Sequence, residues 1–183
     1  FENVPYGEYI VRELKPAEGY LPNEENYTVT ISENKEIIEI TIENDKTPEL
    51  GTTATIDGKK EVGATEVFIL EDVVEYKHLV PGKEYTVKGV LMDKATGEPL
   101  LIDEKEIRSE TTFTPDEPTG EVIVSFEFDA RYIKKDTDIV VFESLYSENK
   151  ELAVHAEIDD EGQTVTVKIP KIGTKASIEG KKK

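Results

Sequence analysis

The sequence predicts an all-β protein, a sandwich or a barrel, on three observations. Segments rich in Val, Ile, Thr, Tyr and Phe alternate apolar and polar residues, the period of a half-buried strand. Turn signals such as "VPGKE", "ATGEP", "DEPTG", "SENKE" and "DDEGQ" separate these segments, and regular short strands with Pro/Gly turns mark sandwiches and barrels. No stretch carries a helical period.

The composition narrows the function. A chain of 183 residues accommodates one full domain with additional pieces, or two small domains. Forty Asp and Glu against 22 Lys and Arg give a net charge of −18, which opposes binding to nucleic acid or to anionic membrane surfaces. No long apolar run is present, so membrane insertion is not expected. Without cysteine there is neither a disulfide staple nor a thiolate. No cofactor and no metal are expected: "IDDEGQ" (158–163) is acidic but lacks the spacing of an EF-hand loop.

At the N-terminus, "YGEYIVRELKPAEGYLP" begins within a strand and "ENYTVTISENKEIIEITIEND" alternates with period two. Three or four strands are expected here, too few for a confident core of their own. "KTPELG" (46–51) supplies a Pro/Gly linker, which sets the first segment at 1–48. The second segment, 49–171, carries the strand signals TATID, TEVFILEDVVEY, EYTVKGVLMD, EIRSETTFT, EVIVSFEFD, DIVVFESLYS, ELAVHAEID and QTVTVKIP.

An internal echo organises the chain. "LGTTATIDGKKE" (50–61) recurs as "IGTKASIEGKKK" (172–183), a period of 122 residues. Such self-similarity indicates a tandem array. Residues 172–183 therefore read as the first strand of a following repeat or as a tail, and neighbouring tandem domains as the partners.

Strand parity then isolates polar residues on apolar faces. Gln163 shares parity with Val165, Val167 and Ile169, and Thr52 with Ala54 and Ile56. Asp72 falls with Phe68, Leu70, Val74 and Tyr76, and Glu143 with Ile139, Val141 and Leu145. Alternation does not bury His155, because Leu152, Val154, Ala156 and Ile158 form the opposite, apolar face. Taken singly, each polar residue could satisfy a turn or a strand end. Taken together, a hydroxyl, two acids, an imidazole and a carboxamide are the parts needed for acyl transfer.

The motifs "GTTATIDG", "ILEDVVEYKHLVPGKEYTVKGVLMD", "TTFTP", "VVFESLY" and "AVHAEIDDEGQTV" resemble the Thr–Gln ester-bond domains, or VaFE repeats, of Gram-positive surface adhesins. The resemblance covers 49–171 and implies an immunoglobulin-like sandwich whose first and last strands are joined by a self-formed ester. It implies a cross-link between Thr52 and Gln163, assisted by Asp72, Glu143 and His155. Thr53 is the rival nucleophile, but the echo keeps threonine (Thr174) at the Thr52 position and replaces Thr53 by Lys175, and parity agrees. The resemblance further implies an extracellular, cell-wall-anchored stalk whose cross-linking is not turnover. A module gripping a host ligand at a distal tip is the rival reading, and a true hydrolase a third.

Residues 1–48, with "YGEYIVRELKPAEGYLP" and "ITIENDKTP", resemble the C-terminal part of a Cna B-type sandwich. The resemblance places Glu13 and Asn44 at the glutamate and asparagine positions of a Lys–Asn isopeptide site. No lysine precedes Glu13, so this site is incomplete within the chain. "NYT" (26–28) fits a glycosylation sequon but reads as turn and strand, and His78 reads as a surface or rim residue.

Overall fold

The computed structural model describes residues 1–34 and 37–173. The architecture is all-β: among the described residues, a two-stranded segment precedes a sandwich of two main sheets, with a further small two-stranded sheet beside them. The second copy of the echo, from Thr174 onward, lies outside the described residues.

The N-terminal segment contains β1 (Gly7–Val11) and β2 (Tyr27–Ile31), paired antiparallel. An isolated bridge between Tyr20 and Lys46 closes it. Among the described residues of this segment, two strands form where three or four were expected. Residues 37–44 alternate in sequence but pair with nothing in the ladder, and Ile37 (85% exposed) and Ile38 point into water. Alternation specifies a strand only when a neighbour accepts its hydrogen bonds.

The sandwich follows: β3 (Glu49–Ile56), β4 (Glu61–Gly63), β5 (Val67–Lys77), β6 (Tyr85–Asp93), the short β7 (Glu98–Pro99), β8 (Leu101–Ile102) and β9 (Lys105–Glu106), β10 (Arg108–Phe113), β11 (Gly120–Asp129), β12 (Thr137–Ser147), β13 (Lys150–His155) and β14 (Thr164–Lys168). A single 3₁₀ turn, Ala130–Tyr132, capped by the Asp129 side chain, is the one helical element among the described residues. One sheet runs β11-β5-β3, and the other runs β10-β6-β12-β14-β4, with β7 added to β6 and β13 to β12.

Two features of this topology build the site. After β3 the chain turns through Asp57 and Gly58, both at positive φ, and crosses to the second sheet, where β4 pairs in parallel with β14. The first and last strands of the sandwich therefore lie side by side. Near the other end, β13 pairs with Glu143–Ser147 of β12 while β14 pairs with Thr137–Val140 of the same strand. Residues 156–163 leave that edge and rejoin it.

The core is apolar and closely shared between the sheets. Leu70 and Val74 of β5, Phe126 of β11, Leu91 of β6, Leu145 of β12, and Val165 and Val167 of β14 are all essentially inaccessible to water. Burying such side chains stabilises by about 1.5–3 kcal/mol each. β5 shows the parity most cleanly, with Phe68, Leu70, Asp72, Val74 and Tyr76 all inward. One member of that row is an acid.

Candidate functional site

Asp72 and Glu143 occupy the middle of facing strands, one in each sheet, and both are buried. In the first sheet Asp72 lies in a cross-strand row between Ala54 and Val124. In the second, Glu143 lies between Gly89 and His155. Each acid has one small cross-strand neighbour, Ala54 beside Asp72 and Gly89 beside Glu143. Gly89 has a further constraint, since a Cβ there would collide with the Phe126 ring packed over it from the opposite sheet.

Gln163 joins this pair from the residue before β14. It is fully buried and its Nε2 donates to Asp72 Oδ1 at 3.3 Å. Its own carbonyl accepts from Val141 N. Thr52 lies on β3 two residues before Ala54, on the same face, while Thr53 is exposed. The backbone ties the two strands beside it: Ala54 N donates to Gly162 O at 3.0 Å, and the Gly162 Cα lies against the Thr52 carbonyl, where a Cβ would sit 3.5 Å away.

His155 reaches the cluster by a route that alternation did not reveal. The β12–β13 register shifts between Leu145 and Tyr146, leaving Leu152 as the extra residue of a bulge. Beyond the bulge the faces exchange. Val154 points out at 53% exposure, Ala156 is exposed, and His155 turns inward opposite Glu143. The apolar face expected for Leu152, Val154, Ala156 and Ile158 does not form.

Two charged residues complete the surroundings and were not singled out from the sequence. Asp160 Oδ2 lies 2.9 Å from His155 Nε2, and Asp160 Oδ1 accepts from Gly162 N at 2.7 Å. An Asp two residues before a Gly in "DDEGQ" is the local signal for such a turn. Lys60, at the turn into β4, donates from Nζ to the carbonyls of Ala54 and Gly162. No local pattern in "DGKKE" points to that contact.

The electrostatics are those of two acids sharing one proton. Burial pushes the Glu143 carboxyl far above the ordinary glutamate range, and the adjacent Asp72 carboxyl drives it further. Burial also raises Asp72, opposed by Glu143, by the charges of His155 and Lys60, and by Gln163. Burial works against Asp160 ionising as well, yet the hydrogen bonds from His155 and Gly162 hold its carboxyl below the usual range.

The buried polar atoms are unusually badly matched. Thr52 Oγ1, Asp72 Oδ2, both Glu143 carboxyl oxygens and Gln163 Oε1 are sealed from water without a hydrogen-bond partner while both acids are ionised. A proton on Glu143 repairs part of this by giving it something to donate. Native interiors leave few such groups, and each costs about 1–3 kcal/mol. Here they are concentrated in four side chains, of which Gln163 and Asp72 are in direct contact.

The N-terminal pair is also assembled. Asn44 Nδ2 donates to Glu13 Oε2 at 2.7 Å and to Leu21 O at 3.0 Å, and Glu13 Oε2 also accepts from Asn23 N. His78 sits at the junction as a rim residue, its ring Nδ1 3.2 Å from Thr47 O. Among the described residues, no group of three or more His, Cys, Asp or Glu side chains is arranged to hold a metal ion. No described helix is long and apolar enough to cross a membrane.

The comparisons with known proteins fit this geometry. Residues 48–167 match the model of the T-Q ester bond containing domain, and residues 1–46 that of the prealbumin-like fold domain SpaA. Among solved structures, a bacterial adhesin from Mobiluncus mulieris containing intramolecular disulfide, isopeptide and ester bond cross-links aligns with TM-score 0.58 at 18% identity, covering 68% of this chain and 58% of that one. A second crystal form of that adhesin gives TM-score 0.58 at 19% identity, with the same coverage. No curated protein sequence matches significantly. The chain belongs to the family of T-Q ester bond containing domains, here preceded by a prealbumin-like domain.

Proposed function

We propose that residues 49–171 form a load-bearing stalk module of a surface adhesin, closed by an ester between Thr52 Oγ1 and the Gln163 side-chain carbon. The observation that carries this reading is the cluster of buried, unpartnered polar atoms on Thr52, Asp72, Glu143 and Gln163. An apolar core of the same shape would be more stable, so these groups are retained for chemistry.

The reaction balances without any added reagent. Thr52 Oγ1 attacks the Gln163 carboxamide carbon, and its proton passes to a base of the cluster. Anionic Asp72, already accepting from Gln163 Nε2, is the acceptor nearest the reacting amide, and His155, oriented by Asp160, relays charge at the rim. Protonated Glu143 stabilises negative charge as the carbonyl oxygen becomes an oxyanion. The carbon–nitrogen bond then breaks, the nitrogen takes the proton, ammonia leaves, and the ester remains.

Burial serves both halves of the problem. It holds a poor nucleophile against a poor electrophile, and it keeps water from hydrolysing the product. With Gln163, Asp72 and Glu143 essentially inaccessible, no external substrate can enter, and the event occurs once per molecule.

The position of the bond explains its use. It joins β3 to the residue before β14, so pulling on the domain's two ends loads the ester and bypasses the strands between. The Mobiluncus neighbour, described as an adhesin with ester and isopeptide cross-links, supports a surface-adhesin setting; the internal echo adds tandem domains as partners, and wall attachment completes the proposal. Single-molecule stretching tests the proposal. The native chain should show no unfolding of the segment between Thr52 and Gln163, whereas Thr52→Ala should release roughly 370 Å or more at about 3.3–3.6 Å per residue. Full extension of the native chain would refute it.

A further inference from the structure

We infer that Lys60 is a positioning residue for the cross-link: its ammonium fastens together the two strands that carry the reacting side chains and fixes negative charge on Asp72 and the proton on Glu143. This deepens the ester reading and rests on it.

The contacts of Lys60 are unusual for a lysine at a turn. Nζ donates to Ala54 O at 2.7 Å and also to Gly162 O. Ala54 is the β3 residue paired with Asp72, and Gly162 immediately precedes Gln163. The Lys60 backbone is fixed to β14, since its carbonyl accepts from Thr166 N at 2.7 Å. One side chain therefore spans the seam that the ester would close. The internal echo keeps a lysine, Lys182, at the matching place.

The charge of Lys60 is not spent on a hydrogen-bonded carboxylate. Both named acceptors are neutral carbonyls, so its field acts on the nearby acids. Partial desolvation lowers the lysine's own pKa, with Asp72 and Asp160 opposing that shift. The charged groups acting on Asp72 are Glu143 from β12, His155 from β13 and Lys60 from the turn before β4. Those acting on Glu143 are acids alone, Asp72 and Asp160. Two carboxyls sharing a proton would otherwise be close to interchangeable. With His155, Lys60 places positive charge on the Asp72 side of the pair and not on the Glu143 side, favouring Asp72 as the base and Glu143 as the acid.

The test uses the full chain made by cell-free synthesis, quenched at intervals into acidic denaturant and weighed for loss of one ammonia. Lys60→Met should slow the loss about tenfold or more and move the acidic limb of the rate–pH profile to higher pH, since Asp72 then ionises less readily. Lys60→Gln keeps N–H donors but no charge, and should shift the profile in the same direction. Lys60→Arg should keep the native profile. Should Lys60→Met not fold, the Gln and Arg variants decide the question. Native rates and profiles in the Gln and Met variants would overturn the inference, as would slowing with an unshifted profile, which would leave only a structural clamp. A native chain that never loses ammonia would instead overturn the ester reading, and this inference with it.

Discussion

Two carboxyl–carboxamide pairs occur among the described residues, and they differ above all in burial. Glu13 and Asn44 meet at 2.7 Å in a segment where, among described residues 1–47, no residue is fully buried, and their atoms have ordinary additional partners in Asn23 and Leu21. Asp72 and Gln163 meet at a looser 3.3 Å inside a sealed core, beside a second acid and a hydroxyl, with five polar atoms left over. On the proposed reading the tighter pair is at rest, and the looser one is poised. Hydrogen-bond length alone is thus a poor guide to reactivity. What distinguishes the central site is that burial withholds water from polar groups that lack other partners, the setting the proposed bond formation requires.

This contrast can be broken most severely at the proposed bond itself. Thr52→Ala or Gln163→Ala should abolish the loss of ammonia and destabilise the sandwich. By analogy with disulfides, a cross-link over roughly 110 residues is worth about 4–5 kcal/mol, measurable by denaturant titration. Glu13→Ala should leave the ammonia loss untouched.

The next largest effect should come from the acid. Glu143→Gln preserves shape but removes the shared proton, and ester formation should slow by about 10²–10³, as for loss of an oxyanion donor. A time course of intact mass measures it.

A smaller effect sharpens the role of burial. Glu143 and Asp72 both hold protons more tightly folded than unfolded. Their contribution to stability is therefore fully present below the ordinary carboxyl range and declines as pH rises through it toward the raised folded values. In Thr52→Ala, where no ester masks the effect, stability should fall between about pH 5 and about pH 8 by up to about 1.4 kcal/mol per unit for each proton retained. Adding Glu143→Gln should flatten that slope. Smallest of all, Glu13→Ala should cost about 1 kcal/mol or less, because water replaces its half-exposed contacts.

Much of this site was legible before any coordinates. Strand parity marked Asp72, Glu143, Thr52 and Gln163 as inward because β3, β5 and β12 run without interruption through their positions and Gln163 enters β14 in phase with Val165 and Val167. His155 was not legible by parity, since one extra residue at Leu152 exchanges the faces of β13, and a bulge leaves no compositional trace. Lys60 and Asp160 escaped for another reason. Both sit on turns, and what they touch is set by where the chain crosses between sheets, a long-range fact that no window of sequence contains. The converse failure lies at 37–44, where clear alternation found no partner strand.

The central claim is tested most directly by weighing the purified native chain and mapping its peptides. The account requires a mass one ammonia below that of the sequence, with the peptide bearing Thr52 joined to the peptide bearing Gln163. A chain of full calculated mass, yielding those two peptides separately, would contradict it.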